Sequence, residues 1–164
     1  MDSISKNSLN RYLRPCESDD EMALREVYED SIRTCDKSLY CEEQIAAWSA
    51  LAFLPGILDK PLKQGEGWVS CVNRTIEAFA LRYPCNRLAL LYCRGRSSRQ
   101  GHAAALLNQI EVDTLKDRPI TLKTEASLCS YQLLLRHGWS IIAPEEIQIG
   151  GVHFSRYLME KTLY

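Results

Sequence analysis

Within eight consecutive residues, 94–101, the chain places three arginines, two serines and two glycines (Arg94-Gly-Arg-Ser-Ser-Arg-Gln-Gly101). Ahead of them run six apolar or aromatic residues, 88–93, too few for a free-standing helix and well suited to a buried strand. Behind them Ala103, Leu106, Leu107 and Ile110 fall at helical spacing with no Pro or Gly between. Strand, basic glycine-bearing loop and helix together can hold an anion. The first amides of a helix have no intrahelical acceptor, and the helix dipole adds partial positive charge there. Gly101 allows close backbone approach, and Arg94, Arg96 and Arg99 supply full charge. The arrangement fits a phosphate or pyrophosphate cradle, and equally a solvated connection; spacing alone does not choose. The Lys-Ser/Thr ending of a nucleotide P-loop and the three-glycine dinucleotide fingerprint are both missing from this stretch.

The elements that must position this loop belong to a chain of 164 residues with a formal net charge of −1. That length suits one domain, 1–164, with a real hydrophobic core and a loose polar start over 1–10. Near-zero charge argues against bulk nucleic-acid binding, and no aromatic residues interleave the loop arginines as a single-strand binder would require. No apolar run approaches a membrane span, and the N-terminus has no signal-peptide core, so a cytoplasmic protein without membrane contact is expected. The seven cysteines (16, 35, 41, 71, 85, 93, 129) are odd in number, with no Cys-x-x-Cys and no zinc spacing. They are expected to be reduced and mostly structural, with no metal site.

Taken in order, 13–16 reads as an edge strand. Ser18 or Asp19 can cap a helix reaching about Thr34, and a second helix starts within 39–48. Residues 51–64 carry two prolines and a glycine, so they form a loop or a broken helix. Residues 67–72 and 75–81 form a hairpin about Asn73-Arg74, and Glu77 alternates with Ile76 and Ala78, facing away from both. The helix after Gly101 runs to about Lys116, 120–125 alternates as a strand, and 131–136 is a short helix ended by His137-Gly138. Residues 139–143 and 152–161 close the chain as strands. This order predicts an α/β (α+β) domain: one mixed, mostly antiparallel sheet flanked by helices, with 88–93 central and splayed from 120–124.

Several stretches resemble the GNAT N-acyltransferases. Ser98-Arg-Gln-Gly-His-Ala103 is similar to their acyl-CoA pyrophosphate loop, Gln/Arg-x-x-Gly-x-Gly/Ala, with Gly101 and Ala103 matching and Ser98 departing. Tyr40, Gln44, Ile45 and Trp48 match a Tyr-Ser-Pro-x-Gln-Ile/Val-x-x-Trp segment of small stand-alone bacterial members, with Cys41 and Glu42 replacing Ser-Pro. Residues 125–128 with 136–139 resemble Asp-Ala-Ser-Leu... Arg-x-Gly-Phe, and 153–161 resembles the closing strand. The resemblance implies acetyl-CoA as co-substrate and an unidentified amine as acceptor. It implies pairing of the pantetheine arm with Leu91, Tyr92 and Cys93, and pyrophosphate held by Ser98, Arg99, Gln100, Gly101, His102 and Ala103. It also places Ser127 on the cofactor arm.

Direct transfer from thioester to amine requires that the amine lose a proton and that the departing thiolate gain one. Ala89 stands where relatives often place Asp, and Leu134 where many place a Tyr acid. Glu125 is then the candidate base. Tyr131, three residues before Leu134 and on the same helical face, is the candidate acid. His153 and Glu77 are further titratable candidates. Two function classes follow: an N-acetyltransferase for a small-molecule or peptide amine, or a catalytically weak acyl-CoA-binding or partner-binding module. Neither acceptor nor oligomeric state is legible, a homodimer included.

Overall fold

The computed structural model describes residues 10–118 and 121–164. In chain order the elements are β1 (Arg11–Pro15), α1 (Glu21–Arg33), α2 (Glu42–Ser49), α3 (Asp59–Gln64), β2 (Glu66–Val72), β3 (Thr75–Arg82), β4 (Leu88–Cys93), α4 (His102–Asp117), β5 (Thr121–Ala126), α5 (Tyr131–Arg136), β6 (Ser140–Ile149) and β7 (Val152–Thr162). The expected loose start over 1–9, and Ile120 of the expected strand, lie outside the described residues.

Helix starts show how local chemistry differs from the expected caps. Neither Ser18 nor Asp19 caps α1; they sit in a 3-10 turn, Ser18–Asp20, that leads into it. Asp20 reaches back to the Glu17 amide at 2.8 Å while Arg14 grips its carboxylate at 2.8 and 2.9 Å. In α2, Gln44 accepts the Cys41 amide through Oε1 at 3.0 Å and donates through Nε2 to the His153 carbonyl at 3.0 Å. One side chain thus starts the helix and ties it to β7. The proline-bearing stretch 51–64 is a broken helix, with a 3-10 turn at Ala50–Ala52 and α3 after it.

The strands form two antiparallel sheets, ordered β1-β2-β3-β4 and β5-β7-β6, rather than one continuous mixed sheet. β4 and β5 are splayed as expected, joined by one parallel bridge, Arg87 with Lys123. Beside it the Lys123 amide donates to the Asn86 carbonyl at 2.9 Å, and the Thr124 hydroxyl to the Leu88 carbonyl at 2.7 Å. Beyond those bonds the strands part, so β4 is central in the molecule yet ends its own hydrogen-bonded sheet. Asn73 and Arg74, both with positive φ (48° and 72°), make the two-residue turn of the β2–β3 hairpin. β6 continues to Ile149, past the expected end at Ala143, because it is the outer strand, where Pro144 leaves no inner ladder bond unmade.

Two cores cover the two faces of the four-stranded sheet. Val27, Ile32, Val69, Phe79 and Leu81 pack beneath α1 and α2. Leu106, Leu107 and Ile110 of α4 pack with Ala78 and Ala80 of β3 on the other face. Each large aliphatic side chain so buried contributes roughly 1.5–3 kcal/mol. The β2–β3 pairing also depends on Gly67, opposite Leu81. A Cβ there would overlap the Ala80 carbonyl oxygen and stand 2.9 Å from Leu81 Cα. Gly67→Ala is therefore expected to lower stability by about 1–3 kcal/mol, as overpacking does. Denaturant unfolding should show a lower midpoint with unchanged slope; an unchanged midpoint would mean the hairpin opens there freely.

Candidate active site

Where β4 and β5 part, a cavity of about 450 Å³ opens between the two sheets. It is lined by β4 from Leu88 to Tyr92, by Thr124, Glu125 and Ser127 at and after the end of β5, and by Tyr28, Tyr40, Trp48, Ile147 and Phe154. The β4 backbone explains why the gap can bind. Antiparallel ladders direct alternate residues to opposite neighbours. The Arg94 amide bonds to Glu77 of β3 at 2.8 Å, which assigns Tyr92 and Leu90 to the β3 ladder as well. The N–H and C=O groups of Leu91 and Cys93 therefore point into the gap. Tyr92 faces the cavity with its ring, tilted at 55° against Tyr28 with centroids 4.6 Å apart. Burial of its hydroxyl end holds that group well above the usual tyrosine value. A register shift in β4 between its pairings to Leu81 and Arg82 leaves Ala89 as an extra, unpaired residue lining the cavity.

The loop charges are distributed otherwise than the sequence suggested. Arg94 and Arg96 do not face an anion site; both turn to Glu77. Arg96 donates to its carboxylate at 2.9–3.2 Å, and Arg94 lies 3.4 Å from it. Glu77 is buried there because β3 bulges: Ile76 pairs with Cys71 and Ala78 with Ser70, which leaves Glu77 between them unpaired. The expected strict alternation breaks, and Ile76 and Ala78 enter opposite cores.

The charges left at the loop are Arg99, which has no ion pair among the described residues, and Arg11, unnoticed in the sequence. Arg11 donates to the Gln100 carbonyl, and its Nη1 lies 3.5 Å from where a Gly101 Cβ would be. Its distance along the chain from the loop hides it from any local motif. Gly101 takes φ +89°, a left-handed conformation that side chains disfavour. The first intrahelical bond of α4 runs from the Ala105 amide to the Gly101 carbonyl at 3.1 Å. The amides of His102, Ala103 and Ala104 precede it at the helix start. Ser98 caps a 3-10 turn, its amide donating to Gly95 at 3.1 Å, and Gln100 folds back onto the Arg96 carbonyl at 3.2 Å.

Glu125 lines the cavity, and Arg87 Nε donates to both its oxygens at 2.9 and 3.2 Å. Their side chains are 37% and 25% exposed, so the pair is worth at most about 1 kcal/mol and opens at small cost. Tyr131 is not among the lining residues: its ring lies against Tyr157, centroids 4.8 Å apart, and its hydroxyl accepts from Gln132 at 3.3 Å. Leu134 does line the cavity, buried. Tyr40 does line the cavity, and its hydroxyl accepts the Leu128 amide at 2.8 Å. Burial pushes it up to about 12, so it stays protonated. Ser127 also lines the cavity, 3.1 Å from Ser130 through the hydroxyls. His153 is exposed and pairs with Glu146 at 2.6 Å outside the cavity lining.

His102 is buried, its Nδ1 2.7 Å from the Ser70 hydroxyl, so it anchors α4 to β2. Burial holds the imidazole below its usual 6.5, with Arg11 adding to the effect. The folded state thus excludes a proton that the unfolded chain binds. Stability from this group is complete above about pH 6.5 and falls as the pH drops below it. Asp20, held below its usual 3.8 by Arg14, loses its contribution only at lower pH, from about pH 5 downward. Thermal stability should therefore fall between pH 6.5 and 5, and His102→Asn, whose amide does not titrate, should flatten that limb. A slope unchanged in the variant would assign the loss to other groups.

No family model and no curated protein matches the sequence. Solved structures do match over nearly the whole length. The GCN5-related N-acetyltransferase from Rhodopseudomonas palustris superposes with a TM-score of 0.87 at 19% identity, covering 93% of this chain and 95% of that one. The PaiA N-acetyltransferase from Thermoplasma acidophilum, in complex with coenzyme A, gives 0.70 at 18%, covering 94% and 99%. The yncA protein of Salmonella typhimurium, with its cofactor acetyl-CoA, gives 0.65 at 15%, covering 94% and 95%. The chain therefore has the fold of these GNAT N-acetyltransferases.

Proposed function

We propose that this protein transfers an acetyl group from acetyl-CoA to an amine of a small molecule or peptide. The observation that carries the proposal is the free edge of β4. Unpaired backbone groups of Leu91 and Cys93 run alongside a cavity and lead toward a helix start at Gly101. An amide-bearing arm can add to such an edge as a further strand, held by backbone bonds that make side-chain identity secondary. The pyrophosphate would then meet the amides of Gly101, His102 and Ala103, with Arg99 and Arg11 as cations and Ser98 and Gln100 shaping the approach. Within 4 Å of a Gly101 Cβ position stands the Arg11 guanidinium, a cation that would lie against the group. Ser127 would bond the arm from the β5 side of the cavity.

In this scheme Glu125 receives the amine's proton once Arg87 yields, and the acetyl group passes from sulfur to nitrogen within the cavity. Tyr40, a protonated phenol on the cavity wall, is better placed than Tyr131 to return a proton to the departing thiolate. Most of the wall near Tyr40 is apolar, where an uncompensated thiolate would be costly. The acyl-CoA-binding module remains the second reading, favoured by Ala89 and Leu134 on the cavity wall and by the Arg87–Glu125 pair.

Calorimetry and thiol release test these statements together. Wild-type protein should bind acetyl-CoA, and Gly101→Asp should lose that binding while remaining folded. Gly101→Asn, equally strained but uncharged, should retain part of it. Across a panel of amines, free thiol should appear with wild type. It should fall by roughly 10²–10⁴ in Tyr40→Phe and Glu125→Gln at unchanged acetyl-CoA affinity. A comparable fall in Tyr131→Phe, with Tyr40→Phe unaffected, would return the acid role to Tyr131. Binding without thiol release from any amine would favour the module.

A further inference from the structure

Two thiols far apart in sequence stand in contact: Cys35 Sγ lies 3.0 Å from Cys129 Sγ. Among the described residues no other two cysteines are so placed. Cys35 follows Thr34, the C-cap of α1, and Thr34 presses on Gly95 at the start of the β4–α4 loop so closely that a Cβ on Gly95 would not fit. Cys129 belongs to the turn between β5 and α5, two residues after Ser127. The contact therefore runs from the side of the molecule that carries the loop to the wall that carries Ser127.

Its location relative to the gap follows from the strands. β4 and β5 are parallel and joined only near Arg87 and Lys123, so the gap widens toward their C-terminal ends, at Cys93 and Ala126. An arm running from the Gly101 loop into the cavity must pass that open end. Just past that end, two contacts tie the segment after α1 to the β5–α5 turn: the Tyr40 hydroxyl with the Leu128 amide, and the two thiols. Closing the thiol pair to a bond requires an approach of about 1 Å, within ordinary side-chain motion.

We propose that Cys35 and Cys129 form a reversible disulfide that ties the end of α1 to the β5–α5 turn and closes the gap to acyl-CoA. The gating half of this statement rests on the acyl-CoA site proposed above; the cross-link itself does not. The two thiols divide the chemistry unequally. Cys129 is exposed, and the hydrogen bond from Cys35 holds it below the usual thiol value; that bond and burial raise Cys35. Cys129 is thus the attacking thiolate. With glutathione disulfide as oxidant, Cys129 Sγ bonds to one glutathione sulfur and the other leaves as thiolate. Cys35 then loses its proton and attacks Cys129 Sγ, expelling the second glutathione. Two protein thiols are oxidised and one glutathione disulfide is reduced to two thiols.

The test uses the full chain, reduced, then equilibrated with glutathione disulfide and quenched by alkylation. Peptide mass spectrometry should find a 35–129 bridge with no retained glutathione at either residue, reversed by dithiothreitol. Calorimetry should show acetyl-CoA affinity lower by about tenfold or more in the bridged protein, since a closed gap removes the competent fraction. Cys129→Ser should bind acetyl-CoA equally before and after the oxidant. Glutathione retained on Cys129 without a bridge would overturn the cross-link. A bridge with unchanged affinity would overturn the gating. A reduced protein that fails to bind acetyl-CoA would overturn the acyl-CoA site, and the gating with it, while mass spectrometry still decides the bridge.

Discussion

Most of this structure depends on one strand being paired on a single side. β4 gives its ladder bonds to β3, and past Leu88 its other edge meets no strand. Buried or half-buried backbone groups left without partners are costly, which is why strand edges are normally covered. Here the edge is kept open by its surroundings. The Arg87–Lys123 bridge and the Thr124–Leu88 bond join the sheets at one end, and aromatic side chains from α1, α2 and β7 hold the walls apart at the other. The ring cluster of Tyr28, Tyr40, Trp48, Tyr92 and Phe154 is rigid and too bulky to collapse into the gap.

Electrostatics at the mouth follow from a second irregularity. The β3 bulge turns Glu77 toward the loop after β4, where it holds Arg94 and Arg96. These guanidiniums shape the loop and leave its remaining charge to Arg99 and Arg11. Asp30 completes the arrangement by accepting the Gly95 amide at 2.9 Å, which fixes where the loop leaves the strand. A loop placed by these two carboxylates can keep Gly101 left-handed and the helix amides aimed outward.

Much of this was legible in the sequence because it is written locally. Apolar alternation, the Asn73-Arg74 turn, His137-Gly138 and the glycine-started helix all located their elements to within a few residues. What was hidden depends on non-local registry. One residue of slip at Glu77 moves two arginines from the anion to a carboxylate, and no spacing rule reveals a bulge. Arg11, Tyr40 and the Cys35–Cys129 contact are brought to the site from segments distant in the chain. The division into two sheets likewise turns on where side chains between β4 and β5 force them apart. Glu125 reached the cavity as its position at a strand end suggested, whereas Tyr131, sharing a helix with Leu134, was turned to Tyr157 instead.

The free edge of β4 is tested most directly by residue-resolved amide hydrogen exchange, with and without acetyl-CoA. The predicted result is new protection at Leu91 and Cys93, and at His102 and Ala103 where α4 begins, with Tyr92 and Leu90 already protected by β3 in the free protein. Protection elsewhere would contradict it, for instance at the separate cavity of about 410 Å³ beside Arg82 and Asp117. So would exchange at Leu91 and Cys93 that acetyl-CoA leaves unchanged.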